Sequence, residues 1–195
     1  MRLSSTLKRW SLPMANVSAV DVLTFWFSKD VIPLQFVKDP VFDQQIIDRF
    51  LPAYEEAVAG DLDDWMQTAE GCLGLIILLD QFPRNMFRDM PKAFASDSKA
   101  LTIAVWAVDA GFEDCFPVEQ RKFFYLPFMH SEILADQDYS VSMFADLGLE
   151  VSLKFAIAHR DIIARFGRFP HRNQILGRSS TEEEIKFLKG PNSHF

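Results

Sequence analysis

The chain has 195 residues, a formal net charge of −7 and a sequence pI near 5.1, and 49% of it is hydrophobic, with 19 Phe. That length fits one domain with a sizeable core, and the apolar content excludes disorder over most of the chain. The acidic balance argues against nucleic acid as a general partner, because such partners select a basic face. The longest apolar run, Cys72 to Leu79, falls far short of the about 20 residues of a membrane span, so no membrane partner is expected.

In chain order, residues 1–16 are set apart as an N-terminal extension, and 17–195 are expected to form a single all-helical domain. The extension carries Arg2, Lys8 and Arg9 and no acid before Asp21. It reads either as an amphipathic targeting peptide or as a translation start placed too early, with Met14 the true one. Ser18 and Asp21 predict a capping box opening a helix through Trp26. Asp39-Pro40 opens a second helix, with a kink or restart at Pro52 and an end at Gly60. Asp61 or Asp63 opens a long helix to about Gln81, which Phe82-Pro83 should stop. Asp97 caps a helix ending at Gly111. Pro117 opens another, with Pro127 inside. Tyr139–Asp146 is a short helix ending at Gly148. Glu150–Phe166 is amphipathic, and Thr181 with Glu184 caps a last helix to Leu188. About eight or nine helices joined by short loops, with neighbours antiparallel, make a compact all-α array. Cys72 and Cys115 are far apart, lack a CxxC and sit among apolar residues, which predicts buried free thiols in a reducing compartment.

One echo stands out. Phe82-Pro83-Arg84-Asn85 follows one apolar helix, and Phe169-Pro170-His171-Arg172-Asn173 follows another. Chance or two corners facing one cleft both account for it.

Polar residues gather at three such helix ends. Asp80 closes a run that is apolar on every face, so its carboxylate must be paired or hydrogen-bonded. Arg84, four residues on, is its natural partner, with Arg88 close behind. Gly71 and Gly74 in the same helix are best explained by close packing. His130 and Glu132 follow Phe123–Met129. Glu132 shares a helical stripe with Phe128 and Met129 and is expected to face inward, while the two polar residues point about 200° apart on an ideal helix. His159 lies on one face with Phe155, Ile163 and Phe166 and is directed at the core or a cleft. From Arg165 to Arg178 the chain carries five positive side chains, counting His171, and no acid. Arg168, His171 and Arg172 there suit either the negative end of a helix dipole or the rim of an anion site. Each cluster reads equally as a buried ion pair that pins helix ends. No Gly-rich phosphate loop, HExxH or GxSxG is present. A metal held by His130, His159 and His171 has no ligand spacing behind it, so neither metal nor cofactor is expected.

The stretches LLDQFPRNMFR (Leu78–Arg88), YLPFMHSE (Tyr125–Glu132) and HRDIIARFGRFPHRNQILGRSST (His159–Thr181), with VLTFWF near the start, resemble the domain-of-unknown-function family numbered 924 over about residues 20–190. The resemblance implies an all-α fold similar to the tetratricopeptide-like superfamily, in a mainly bacterial, cytoplasmic family, and no established activity. It marks Asp80, Arg84, Asn85, His130, Glu132, His159, Arg168, His171, Arg172 and Asn173.

Two functions follow as expectations. The first is a site for a small anionic molecule, hydrolytic in one version. There His130, Glu132 and His159 are the acid–base candidates, and Asp80, Arg84, Asn85, Arg168, His171, Arg172 and Asn173 form the binding set. The second is a helical scaffold for a protein or peptide partner, without catalysis. Arg, His and carboxylate at the marked positions favour the small ligand.

Overall fold

A computed structural model describes residues 17–191 and Ser193. The reading of residues 1–16 concerns residues outside this set. Among the described residues there is no strand, and nine α-helical segments follow one another: α1 Ala19–Trp26, α2 Pro40–Ala59, α3 Ala69–Ile76, α4 Phe82–Met86, α5 Asp97–Asp109, α6 Val118–His130, α7 Leu134–Leu147, α8 Glu150–Phe166 and α9 Glu182–Leu188. The all-α expectation holds. No helix among the described residues is long and apolar enough to cross a membrane.

Local chemistry explains most helix ends. The Ser18 hydroxyl accepts the Asp21 N–H at 3.2 Å, and the Asp21 carboxylate accepts the Ser18 N–H at 2.8 Å. Thr181 and Glu184 repeat the device at α9. Asp39 caps α2, Pro40 takes its first position, and Gly60 ends it at φ 92°. Pro52 lies within this one continuous helix, not at a restart.

Several expectations are corrected. Neither Asp61 nor Asp63 opens α3, because Asp63–Gln67 is a 3₁₀ turn. Thr68 is the cap, its backbone extended and its hydroxyl accepting the Gly71 N–H. The helix expected from Tyr139 begins at Leu134. Cys115 is exposed; only Cys72 is a buried thiol. Phe155 is 50% exposed, so His159 points inward without it.

The largest correction is that Phe82-Pro83 does not stop the helix. Residues 77–81 form a single π-turn, in which the Phe82 N–H bonds to the Ile77 carbonyl, and helical backbone resumes as α4. Pro83 lacks an N–H, which strands the Leu79 carbonyl. The Ser96 hydroxyl donates to that carbonyl at 2.6 Å. The next carbonyl, of Asp80, accepts from Arg84 Nη1 at 2.6 Å. Both groups released by the irregular turn thus find donors, as buried carbonyls must.

The α3–α4 helix is the axis of the molecule. α3 packs against α1, α5 and α6, and α4 against α2. Leu73, Leu75, Ile76, Ile77, Leu78 and Leu79 are all fully buried, as an all-round apolar run should be. Trp26, Phe50, Phe82 and Phe123 join α1, α2, α4 and α6 in one aromatic cluster. The links 131–133 and 148–149 are short, so α6, α7 and α8 pack as successive hairpins. The segment after α8 returns across the end of this bundle through a 3₁₀ turn at Pro170–Arg172, on which α9 packs.

Both helix glycines are close-approach positions. A Cβ on Gly71 would sit 1.9 Å from the Trp65 carbonyl oxygen, and one on Gly74 would sit 3.1 Å from Ala19 Cβ. Gly71→Ala should therefore destabilise the protein by about 1–3 kcal/mol or more, despite alanine's better helix propensity. A urea denaturation midpoint unchanged in Gly71→Ala would contradict this packing.

Candidate functional site

The π-turn places Asp80 at the bottom of the site. Its side chain is 0% exposed, and its two oxygens are taken on different sides. Oδ1 accepts from His130 Nδ1 at 2.7 Å and lies 3.4 Å from Arg84 Nη2. Oδ2 accepts from the Gln81 amide. Burial opposes ionisation, but Arg84 and then His130 outweigh it, so the carboxyl is held well below its usual range. An ionised carboxylate only accepts, which fixes the proton of neutral His130 on Nδ1 and leaves Nε2 with its lone pair.

Arg84 continues the network outward. Its guanidinium grips Asp97, the first residue of α5, through Nη1 at 3.0 Å and Nη2 at 3.2 Å. The same Asp97 Oδ2 is 3.4 Å from Nη1 of Arg172. The two Phe-Pro corners of the sequence echo therefore do face one place, and their arginines share one carboxylate. Arg172 is stacked between Phe94 and Phe169, with ring centroids at 4.6 and 4.5 Å. Its side chain is only 8% exposed. Beyond the long contact to Asp97 it makes no further hydrogen bond among the described residues, and its buried Nε–H has no acceptor. Burial, then Arg84, pushes its pKa down to about 10.

His159 stands beside His130, with ring centroids 6.4 Å apart. Its Nδ1–H donates to the Phe155 carbonyl at 2.8 Å. Burial, then the neighbouring His130, drives its pKa down to about 3, so the ring is neutral at ordinary pH. His130 is shifted down as well, by burial and then by Arg84, against the pull of Asp80.

The remaining marked residues lie at the border or elsewhere. Glu132 is not on a helical stripe, because α6 ends at His130. It receives Arg178 on both oxygens at 2.7 and 2.9 Å and the Phe169 N–H at 2.8 Å. Both oxygens are thus committed to holding the 169–178 loop. Asn173 accepts from Arg178 Nε and donates to Ser180 in the same loop. Asn85 and Arg88 converge on Asp43 of α2. Arg168 forks onto Glu184, and Arg165 onto Glu183. The basic run is thereby largely neutralised by acids outside it in sequence, and Arg172 is its under-compensated member. His171 packs against Phe169, ring centroids 5.6 Å apart. Asp97 and Phe94 also belong to the cluster, with no local signal in the sequence for that part. Asp97 is expected to cap α5, but Ser96 holds that position and the Asp97 carboxylate turns to the arginines. Among the described residues no three His, Cys, Asp or Glu side chains gather as a metal-ligand set. Two surface cavities, of about 280 Å³ beside Tyr125 and Tyr139 and about 200 Å³ between α8 and α9, lie away from this cluster.

Fold and cluster together define a compact all-α protein with a largely buried arginine–carboxylate–histidine centre at one end of its central helix. Residues 22–192 match the family described as "Bacterial protein of unknown function (DUF924)", and the chain belongs to it. It is similar to the solved structure of a protein of unknown function, ATU0120, from Agrobacterium tumefaciens, with 43% identity, a TM-score of 0.84, and coverage of 88% of this chain and 96% of that one. The comparison with curated proteins gives no match.

The buried neutral His159 makes stability depend on pH. In the unfolded chain it titrates near 6.5 and in the fold near 3. Between these values the unfolded state holds more protons, so stability falls as the pH falls. From pH 6.5 to 4.5 this one ring should remove about 2–3 kcal/mol. Urea unfolding of His159→Gln should show a pH slope shallower by about that amount, and an identical slope would refute the assignment.

Proposed function

We propose that the protein binds a small anionic molecule at Arg172 and Arg84, with the Asp80–His130 pair as the acid–base group beside it. The observation that carries this reading is the state of Arg172. A guanidinium almost out of water, stacked between two rings, shares one carboxylate with a second guanidinium and keeps a buried N–H without an acceptor. Removing a charge from water costs several kcal/mol unless it is fully paired. The Nε/Nη2 edge of an arginine is the fork that grips a carboxylate or phosphate through two parallel hydrogen bonds. An oxyanion there would complete the pairing.

His130 supplies the chemistry. With Nδ1–H held by Asp80, Nε2 is oriented to take a proton from a water or a substrate group and return it. That suits hydrolysis or another proton transfer on an anion-bearing substrate. Glu132, an acid–base candidate by sequence, is given no such part, because Arg178 and the Phe169 N–H occupy it. The scaffold alternative is less well supported. A peptide groove needs an extended accessible surface, and this centre is largely buried, with Arg172 stacked between Phe94 and Phe169.

Thermal unfolding in acetate, phosphate and sulfate tests the reading. At least one of these anions should raise the midpoint of the wild-type protein, and Arg172→Gln should lose that increment. Asp97→Asn, which leaves two guanidiniums without their shared countercharge, should cost about 3–5 kcal/mol and regain part of it as the anion is added. No stabilisation by any anion in wild type or Asp97→Asn would overturn the proposal.

A further inference from the structure

A cavity of about 280 Å³ opens between α6, α7 and the 3₁₀ turn at Phe112–Cys115, and it shares no residue with the arginine–histidine centre. Its lining has two characters. Val108, Met143 and Leu147 give it an apolar side, and Glu113, Tyr125 and Asp146 bring polar groups. Tyr125 stands in the middle of α6, its ring set edge-on to Phe144 with centroids 5.7 Å apart. The residue is only 8% exposed, and its hydroxyl makes no hydrogen bond among the described residues. Burial and then Glu113 push its pKa up to about 12, so the hydroxyl keeps its proton and its lone pairs. Glu113 presents a second unmet acceptor, because its Oε2 is buried and has no partner. Burial, foremost, raises the pKa of that carboxyl, and Asp114 adds to the effect. Buried polar atoms are normally paired. Two unpaired acceptors on one cavity wall are therefore a feature to explain.

The fold has a cation at hand and uses it elsewhere. Arg121 is the one Lys or Arg that lines the cavity. Its Nε donates to the Phe116 carbonyl at 2.8 Å, Nη1 to the Asp114 carboxylate at 2.8 Å, and Nη2 to the Asp114 carbonyl at 3.2 Å. The guanidinium is thus spent on holding the turn that carries Glu113. Neither Glu113 nor Asp146 has an ion pair among the described residues. A cavity so lined repels an anion and attracts a cation.

The lining also decides which cation. A hard metal ion wants six or more oxygen ligands and no apolar wall, and among the described residues no three His, Cys, Asp or Glu side chains gather to hold one. An ammonium group has three N–H donors and no acceptor, which matches a wall of acceptors, and tyrosine rings favour a cation near them. We propose that this cavity is a second ligand site, which binds a small primary amine as its ammonium ion. The N–H groups reach the Glu113 carboxylate and the Tyr125 hydroxyl, and the alkyl part packs on Val108, Met143 and Leu147.

The probes are n-butylammonium and 1-butanol, its neutral counterpart of equal chain length, at about pH 8, where an alkylamine is still charged. Binding is read from the Met143 methyl signal in protein carrying carbon-13 methionine methyls, with that signal identified by its loss in Met143→Leu. Butylammonium should move it and bind at least tenfold more tightly than butanol, because its hydrogen bonds are charge-assisted. This comparison is made in the unmodified protein and needs no variant to fold. Glu113→Gln, of nearly the same shape, should lose most of the preference, and Tyr125→Phe should weaken butylammonium several-fold. Magnesium chloride at matched ionic strength should not displace the amine. Equal binding of butanol and butylammonium, a Met143 signal that neither moves, or a full preference kept in Glu113→Gln would overturn the amine site. Displacement by magnesium at comparable concentration would overturn it in favour of a metal ion.

Discussion

The structure turns on a carboxylate with no access to water. Asp80 ends an apolar helix that is buried on every side, and a bare anion there would be far too costly to keep. Its surroundings are arranged around that demand. A π-turn widens the helix at 77–81 and allows Arg84 to reach both the Asp80 carboxylate and the Asp80 carbonyl. The end of α6 delivers His130, and Gln81 takes the other oxygen. Single-turn π-bulges recur at functional sites because they aim side chains that a regular helix would point elsewhere. Here the bulge also reconciles Pro83 with a continuous helix, through a serine hydroxyl at the start of α5.

Two arginine–carboxylate systems flank this centre, and they differ in how fully each is closed. In the pair of Arg178 and Glu132, both carboxylate oxygens receive the guanidinium, and the loop backbone supplies the remaining donor and acceptor at Phe169. That pair is closed, and removing either member would leave a charge exposed to no partner. In the pair of Arg84 and Arg172 on Asp97, one carboxylate serves two cations, and the second cation is held at 3.4 Å. Aromatic faces on both sides of Arg172 offset part of the deficit, yet they offer no acceptor to its buried N–H. The Arg84–Asp97–Arg172 system is thus the less closed of the two.

Much of this was legible in the residues. Periodicity placed the helices, and Ser18, Asp39, Gly60, Gly148 and Thr181 marked their ends through local cap chemistry. The repeated Phe-Pro corners named Arg84 and Arg172 together, and the burial of the run before Asp80 required a partner four residues on. What escaped depended on distant groups. Pro83 reads as a stop because the donor that rescues the Leu79 carbonyl belongs to Ser96. The run from Arg165 to Arg178 reads as an open basic rim because Glu183, Glu184, Glu132 and Asp97, which pair with its arginines, lie outside it in sequence. Asp97 reads as a cap because nothing nearby shows that two arginines compete for it. Glu132 reads as inward-facing on a helix because the break after His130 follows from how α7 docks, not from any local stop residue.

This difference between local and distant signals also bears on how the site works. Arg84 and His130 are both fixed by Asp80, whereas Arg172 arrives on a loop that Glu132 and Arg178 hold from the opposite side. The two halves of the centre are therefore built on separate supports and meet across the shared Asp97 carboxylate, at the Phe94 ring that both guanidiniums face, and through His159 between His130 and Phe169. A ligand anion that satisfies Arg172 directly would relieve Asp97 of one of its two partners and leave it wholly to Arg84. The change in field is then felt along one continuous chain of contacts, from Arg172 through Asp97 and Arg84 to Asp80 and His130. In a medium of low polarity such a chain transmits charge more strongly than water would allow. Asp97 is thus the joint between the half of the centre built on Asp80 and the half carried by the loop of Arg172.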